Sequence, residues 1–178
     1  MRRLILLLCL VAGPLWANDW DALKEPGAIA IMRHALAPGT GDPAEFTLGD
    51  CATQRNLSDR GRAQARRTGD ALRAEGITFD TVLTSQWCRA RETAELLDFG
   101  APRDLPALNS FFRRFERREP QTADLLEALR QTEGRVMLVT HQVNISALIG
   151  TGARSGEIIV FRLVPDGVER LGSILIDP

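Results

Sequence analysis

The sequence has few histidines and cysteines, no tyrosine, and no excess of either charge. Two histidines and three cysteines occur among 178 residues, and the formal net charge is −1. Such a balance gives no broad basic surface, so we expect no nucleic-acid partner. Two histidines without clustered cysteines or carboxylates also form a poor metal-binding set. The length and the 44% hydrophobic content are those of one domain with a real core.

The N-terminal stretch "MRRLILLLCLVAGPLWA", residues 1–17, has two arginines, a short apolar run and a small residue at its end. This pattern predicts a cleaved secretory signal, with a retained N-terminal anchor as the alternative. The apolar run is too short to span a bilayer comfortably. We therefore expect a periplasmic or secreted domain over residues 18–178, with no stable membrane insertion after cleavage.

Strand and helix patterns alternate along the rest of the chain. Continuous apolar runs predict strands that are covered on both faces. The predicted strands are 28–32, 79–85 and 135–141, the predicted helices are 59–76, 90–100, 122–134 and 142–150, and a hairpin over 156–176 ends the chain. The pattern indicates an α/β three-layer sandwich, with a mostly parallel central sheet, helices on both faces and a C-terminal edge hairpin. The segment "FFRRFERREP" (111–120) is either a helix with its phenylalanines on one face or a basic lid.

Both histidines follow predicted strands, and an arginine lies close to two of the three strand ends. Arg33 and His34 follow the first strand, Arg89 opens the helix after the second, and His141 follows the third. Sites in open α/β sheets form beyond the carboxyl ends of the strands. Arginine forks match phosphate oxygens, and a neutral imidazole can act as a nucleophile. If the three strands are neighbours, the four side chains predict a phosphoryl-transfer site that uses no metal. The alternative is that the histidines are structural and that the arginines are surface or ion-pair residues.

The chain resembles the histidine phosphatase superfamily, which has the phosphoglycerate-mutase-like fold. "MRHA" (32–35) is similar to its Arg-His-Gly signature, and "NLSDRGRAQA" (56–65) resembles its Leu-Ser/Thr-x-x-Gly-x-x-Gln-Ala helix start. "TSQWCRARETAELL" (84–97) and "LVTHQVNI" (138–145) resemble its arginine segment and its second-histidine strand. The four motifs occur in family order.

The resemblance implies that His34 is phosphorylated and that Arg33, Arg89 and His141 complete a phosphate pocket. It implies a metal-independent phosphomonoester hydrolase of the histidine acid phosphatase type, acting through a phosphohistidine on a small phosphorylated substrate. An exported location favours an envelope or other extracytoplasmic ester. The alternative is a catalytically silent phosphate- or phosphosugar-binding protein. Arg55 is either a further anion contact or a solvated loop residue.

The sequence departs from the family at two positions. Ala35 replaces the signature glycine, and Ser110 stands where many members carry a glutamate general acid. The candidate acids that remain open are Glu116, Glu119, Asp42, Glu45 and Asp50.

The cysteines give a further prediction. Removal of residues 1–17 takes away Cys9 and leaves Cys51 and Cys88. An even pair in an exported protein favours a disulfide, which here would tie the first long loop to the turn before Arg89. The alternative is a pair of separate buried thiols.

Overall fold

The computed structural model describes residues 18–178, so the predicted secretory signal over residues 1–17 lies outside the described residues. Six strands and four α-helices follow one another along this part of the chain. The strands are β1 (Ile29–Arg33), β2 (Thr81–Thr84), β3 (Arg103–Asp104), β4 (Val136–Thr140), β5 (Ile158–Val164) and β6 (Gly167–Ile174). The helices are α1 (Asp59–Ala74), α2 (Cys88–Leu97), α3 (Arg118–Arg130) and α4 (Gln142–Ile149).

The six strands form one sheet in the order β3-β2-β4-β1-β5-β6. Strands β3, β2, β4 and β1 are mutually parallel, whereas β5 runs antiparallel to β1 and forms a hairpin with β6 at the edge. This arrangement confirms the predicted α/β fold and the C-terminal hairpin. Strand β4 lies inside the sheet and is buried along its whole length, as its apolar sequence predicts.

Alternate residues of the central strands pack into two separate hydrophobic cores, one on each face of the sheet. Met32 and Met137 pack on one face of the sheet with Leu72 of α1 and Leu97 of α2. The other face holds a second cluster, which includes Ile31, Leu138, Leu125 of α3 and Ile145 of α4. Helices therefore cover both faces, and the three layers follow from the period-two alternation of side chains along a strand.

The segment between β3 and α3 differs from the helical prediction. Residues 112–113 form a turn, Phe115–Arg117 form a 3-10 helix, and α3 starts at Arg118, four residues before the predicted start. The predicted helix over 111–120 is therefore wrong, because the three phenylalanines share no buried face. Phe111 is buried, whereas Phe112 is 45% and Phe115 60% exposed.

Two smaller features complete the fold. The segment after α2 contains the short strand β3, which pairs with Leu83 and Thr84 of β2. Two exposed polar residues carry no periodic signal, so the sequence pattern could not reveal this strand. None of the helices between residues 18 and 178 is long and apolar enough to cross a membrane.

Candidate active site

The carboxyl ends of β1, β2 and β4 bring the predicted site residues together. These three strands are neighbours in the sheet, so the residues that follow them meet at one edge. His34 directly follows β1, and its backbone N–H donates to the Thr140 carbonyl at 2.9 Å. His141 directly follows β4, and the two imidazole rings lie 5.4 Å apart, edge to face. Arg89 reaches both rings from the first turn of α2.

The loop after His34 is fixed by residues of the helix motifs. The Ala35 N–H donates to Thr93 Oγ1 at 3.0 Å, and the Leu36 N–H donates to Gln64 Oε1 at 3.0 Å. A β-carbon at Gly61 would lie 2.1 Å from the Leu36 carbonyl oxygen, so only glycine allows α1 to approach this loop. These motif residues therefore position the histidine rather than contact a substrate.

Hydrogen bonds determine which nitrogen of His34 carries the proton. Its Nδ1 lies 2.8 Å from the Ala35 carbonyl oxygen, which can only accept, so Nδ1 is the protonated nitrogen. Arg89 Nε donates to Nε2 at 3.2 Å, which requires a lone pair on Nε2. Burial, followed by the charge of Arg89, holds the pKa of His34 well below its ordinary value. His34 is therefore a neutral imidazole with an unprotonated Nε2 facing the arginine.

The second histidine is held by a chain of polar side chains. His141 Nε2 lies 2.8 Å from Ser85 Oγ, and the Ser85 hydroxyl donates to Asn109 Oδ1 at 3.2 Å. Because that hydroxyl proton is used, His141 Nε2–H is the donor to Ser85. Nδ1 then faces Arg89 Nη2 at 3.4 Å. Burial, and after it the charge of Arg89, lowers the pKa of His141 well below its ordinary value.

Arg89 is engaged by the carboxylate of Asp42, which comes from the first long loop. Nη1 lies 2.5 Å from Asp42 Oδ1, and Nη2 lies 3.2 Å from Oδ2, a two-pronged pair with the Arg89 side chain 3% exposed. Trp87 Nε1 also donates to Oδ2 at 3.0 Å. Burial alone would raise the pKa of Asp42, but hydrogen bonds from Arg89 and Trp87 and the charge of Arg89 lower it. A carboxylate thus holds the donors that a phosphate would use.

Two further arginines line the same cavity, which has a volume of about 190 Å³ and also contains both histidines. Arg33 Nη1 donates to the Ala153 carbonyl at 3.0 Å, while its buried Nε has no hydrogen-bond partner. Arg55 Nε donates to the Gly41 carbonyl at 2.7 Å, and its Nη1 donates to Ala37. Burial, then Arg89, lowers the pKa of Arg55 to about 10. Arg55 is therefore half-buried at the cavity rather than a solvated loop residue.

Sequence patterns missed the supporting residues Asp42, Ser85 and Asn109 in these roles. Asp42 was one of five open acid candidates, and of the described acidic residues it alone lines the cavity. Ser85 sits at a strand end, where a polar residue after an apolar run gives a weak signal. Asn109 follows the 3-10 helix Pro106–Leu108, and its contact with Ser85, directly after β2, is set by tertiary packing alone.

The predicted disulfide is present. Cys51 and Cys88 are bonded, with their α-carbons 5.7 Å apart, so the alternative of two separate thiols is wrong. Gln54 Oε1 accepts from the Cys88 N–H at 3.0 Å and reinforces the same connection between the loop and α2. Across residues 18–178, no group of three or more His, Cys, Asp and Glu side chains could hold a metal ion.

Comparisons with known sequences point to one family. Residues 29–111 match the sequence model of the histidine phosphatase superfamily, branch 1. A mitochondrial serine/threonine-protein phosphatase Pgam5 from Drosophila grimshawi is 46% identical over 85 residues, 48% of this chain and 29% of that protein. A 2,3-bisphosphoglycerate-dependent phosphoglycerate mutase from Azorhizobium caulinodans is 48% identical over 42 residues, 24% of this chain and 20% of that protein. The chain thus spans less than a third of these curated relatives.

Solved structures share the fold over most of the chain. The protein histidine phosphatase SixA complexed with tungstate superposes with a TM-score of 0.61 at 18% identity, covering 83% of this chain and 96% of that one. A putative phosphohistidine phosphatase SixA from Agrobacterium tumefaciens gives 0.59 at 22% identity, covering 85% and 100%. The sequence match over residues 29–111 assigns that part of the chain to the histidine phosphatase superfamily, and the solved structures show that the fold is shared over most of the chain.

Proposed function

We propose that the protein is a metal-independent phosphomonoester hydrolase that works through a phosphohistidine on His34. The observation that carries the proposal is the unprotonated Nε2 of His34, which faces Arg89 in a cavity shared with Arg33, Arg55 and His141. A neutral nucleophile surrounded by cationic donors matches the needs of phosphoryl transfer, where negative charge spreads over the equatorial oxygens.

The proposed reaction has two steps. His34 Nε2 attacks the phosphorus, the bond to the leaving oxygen breaks, and the leaving group departs with the bonding electron pair. The Nδ1–H bond to the Ala35 carbonyl stabilises the positive charge that develops on the ring. Water then attacks the phosphohistidine, the N–P bond breaks, and phosphate and neutral His34 are restored. Arg89 binds the equatorial oxygens in both steps.

The substrate must displace the carboxylate of Asp42 from Arg89, because both are anions that use the same two-pronged donor. The lowered pKa of Asp42 leaves this group ionised near neutral pH, so in the free protein it has no proton to give to a leaving oxygen. This supports action on esters whose leaving groups need little protonation, such as aryl phosphates.

The substrate is proposed to be an extracytoplasmic phosphate ester. Support comes from the signal-like pattern of residues 1–17 and from the disulfide, since disulfides persist mainly in oxidising compartments. Export itself is a proposal, and N-terminal sequencing of protein from the exported fraction tests it. A mature N-terminus near Asn18 is expected, and an intact Met1 would contradict cleavage.

A catalytically silent phosphate-binding protein is the second candidate. It is favoured by the carboxylate of Asp42 on Arg89 and by Ser110 in place of the family's glutamate. Turnover of p-nitrophenyl phosphate separates the two, because its leaving group needs little acid help. We expect turnover by the wild type after exhaustive EDTA treatment, loss of turnover in His34→Ala, and retained phosphate binding in that variant. Phosphate binding without turnover by the wild type would favour the silent protein.

A further inference from the structure

We infer that a second cavity beside the phosphate site binds the leaving group of the substrate, and that this group is a flat apolar ring with an anionic substituent. The inference rests on the proposed function, because it deepens that same site. The second cavity has a volume of about 500 Å³, within the range that holds small ligands. Asp42, Ser110 and Phe112 line both cavities, so a single substrate can occupy the two.

Aromatic side chains dominate the surfaces that the second cavity offers. Phe46 and Trp87 stack with their ring centroids 4.9 Å apart, and both line the cavity. Phe112, at the junction of the two cavities, is 45% exposed. An exposed phenylalanine beside a stacked pair is a surface that a flat ring would cover. The leaving group of an ester on His34 would therefore meet aromatic faces.

The two amide side chains that line this cavity, Asn109 and Gln121, already have hydrogen-bond partners within the protein. Asn109 Oδ1 accepts from Ser85 and from the Gln86 N–H, while its Nδ2 donates to Gln86 Oε1. The Gln121 amide donates to the carbonyls of Ala107 and Asn109. A polyhydroxylated leaving group such as a sugar would find few free partners here. This argues for an apolar ring over a sugar.

The rim of the cavity is positively charged. Three arginines line it, Arg113, Arg114 and Arg117, against one acidic side chain, Asp42. Arg113 is committed to the carbonyls of Asp42 and Pro43. Arg114 contacts Glu116 only at 3.6 Å with both side chains about 70% exposed, and Arg117 has no ion pair within residues 18–178. Arg117, together with the weakly paired Arg114, thus favours an anionic substituent on the ring.

Two matched esters test the charge requirement. The first is 4-(2-carboxyethyl)phenyl phosphate and the second is 4-propylphenyl phosphate, whose phenols have similar basicity because a saturated chain separates the substituent from the ring. We expect the wild type to prefer the carboxylated ester in kcat/KM on the order of tenfold, since each partly exposed ion pair contributes up to roughly fivefold. Arg114→Gln/Arg117→Gln should abolish this preference. Arg66→Gln, an exposed arginine of α1 outside both cavities, should retain it.

Three results would overturn the inference. The wild type could treat the two esters alike, the double variant could keep the preference, or glucose 6-phosphate could be hydrolysed faster than either ester despite its poorer leaving group. Absence of turnover of both esters and of p-nitrophenyl phosphate would instead refute the proposed hydrolase. In that case calorimetry measures the dissociation constants of the same two esters for the wild type and the variants. Tighter binding of the carboxylated ester by the wild type, lost in the double variant, would support the subsite, and equal binding would overturn it.

Discussion

Replacement of Asp42 by asparagine should make the protein bind phosphate more tightly. In the anion-free protein the Asp42 carboxylate is the counter-ion of Arg89, and both side chains are nearly buried, at 12% and 3% exposed. Asparagine has almost the same shape but no charge. Arg89 then remains buried beside Arg33 and Arg55 without an anion, and an incoming phosphate supplies one.

The geometry gives the size of the effect. Removal of one partner of a buried ion pair costs about 3–5 kcal/mol, because the other charge remains without compensation. If bound phosphate compensates most of the Arg89 charge, the variant gains roughly 2–3 kcal/mol in the free energy of phosphate binding. This corresponds to a dissociation constant about 30- to 150-fold lower. Calorimetry measures the binding, and thermal unfolding should show a lower Tm without phosphate and a larger rise when phosphate is added.

Glu45→Gln is the matched control. Glu45 belongs to the same loop, is exposed and lines neither cavity, so its replacement should change neither Tm nor phosphate affinity. Weaker phosphate binding by Asp42→Asn would refute the reasoning. It would mean that Asp42 positions Arg89 for the phosphate instead of competing with it.

Three further predictions concern the site and its support. Arg89→Lys should lower kcat/KM for p-nitrophenyl phosphate on the order of 100-fold or more, since lysine loses the two-pronged contact, while Arg66→Lys stays near wild type. The pKa values of both buried histidines are lowered, so below about pH 6.5 the unfolded chain binds protons that the folded chain does not. The free energy of unfolding, measured in urea, should therefore fall as the pH drops from 7 toward 5, by up to roughly 1.4 kcal/mol per pH unit for each histidine. No such fall would mean that the imidazoles are not held neutral. Dithiothreitol should lower the Tm, as expected for a cross-link of 37 positions that contributes about 3–4 kcal/mol. Uptake of iodoacetamide at Cys51 or Cys88 in denatured, unreduced protein, located by peptide mapping, would contradict the bridge.

The placement of the two histidines at strand ends could be predicted from the sequence. Each follows a continuous apolar run, and parallel strands bring such ends together. The order β2-β4-β1 makes these strands neighbours and brings Arg89 within hydrogen-bond distance of both rings. The local pattern thus predicted the strand ends, whereas the strand order is seen only in the structure.

The position of Asp42 could not be predicted, because the first long loop has no periodicity. Its path depends on contacts far along the chain, including Trp87 Nε1 on the carboxylate and Arg113 on the backbone carbonyl of Asp42. The helix predicted over the segment 111–120 is wrong for a similar reason. Three phenylalanines at helical spacing predict a helix, but Phe112 and Phe115 are exposed, and Phe112 belongs to a cavity wall instead of a core.

The central claim is that His34 Nε2 forms the bond to phosphorus. Wild-type protein that turns over a ³²P-labelled aryl phosphate is denatured in alkali during turnover, digested, and its labelled peptide identified by mass spectrometry. The account predicts an acid-labile, alkali-stable phosphate on His34, and no label in His34→Ala. Phosphate found on His141, or turnover with no labelled histidine at all, would contradict it.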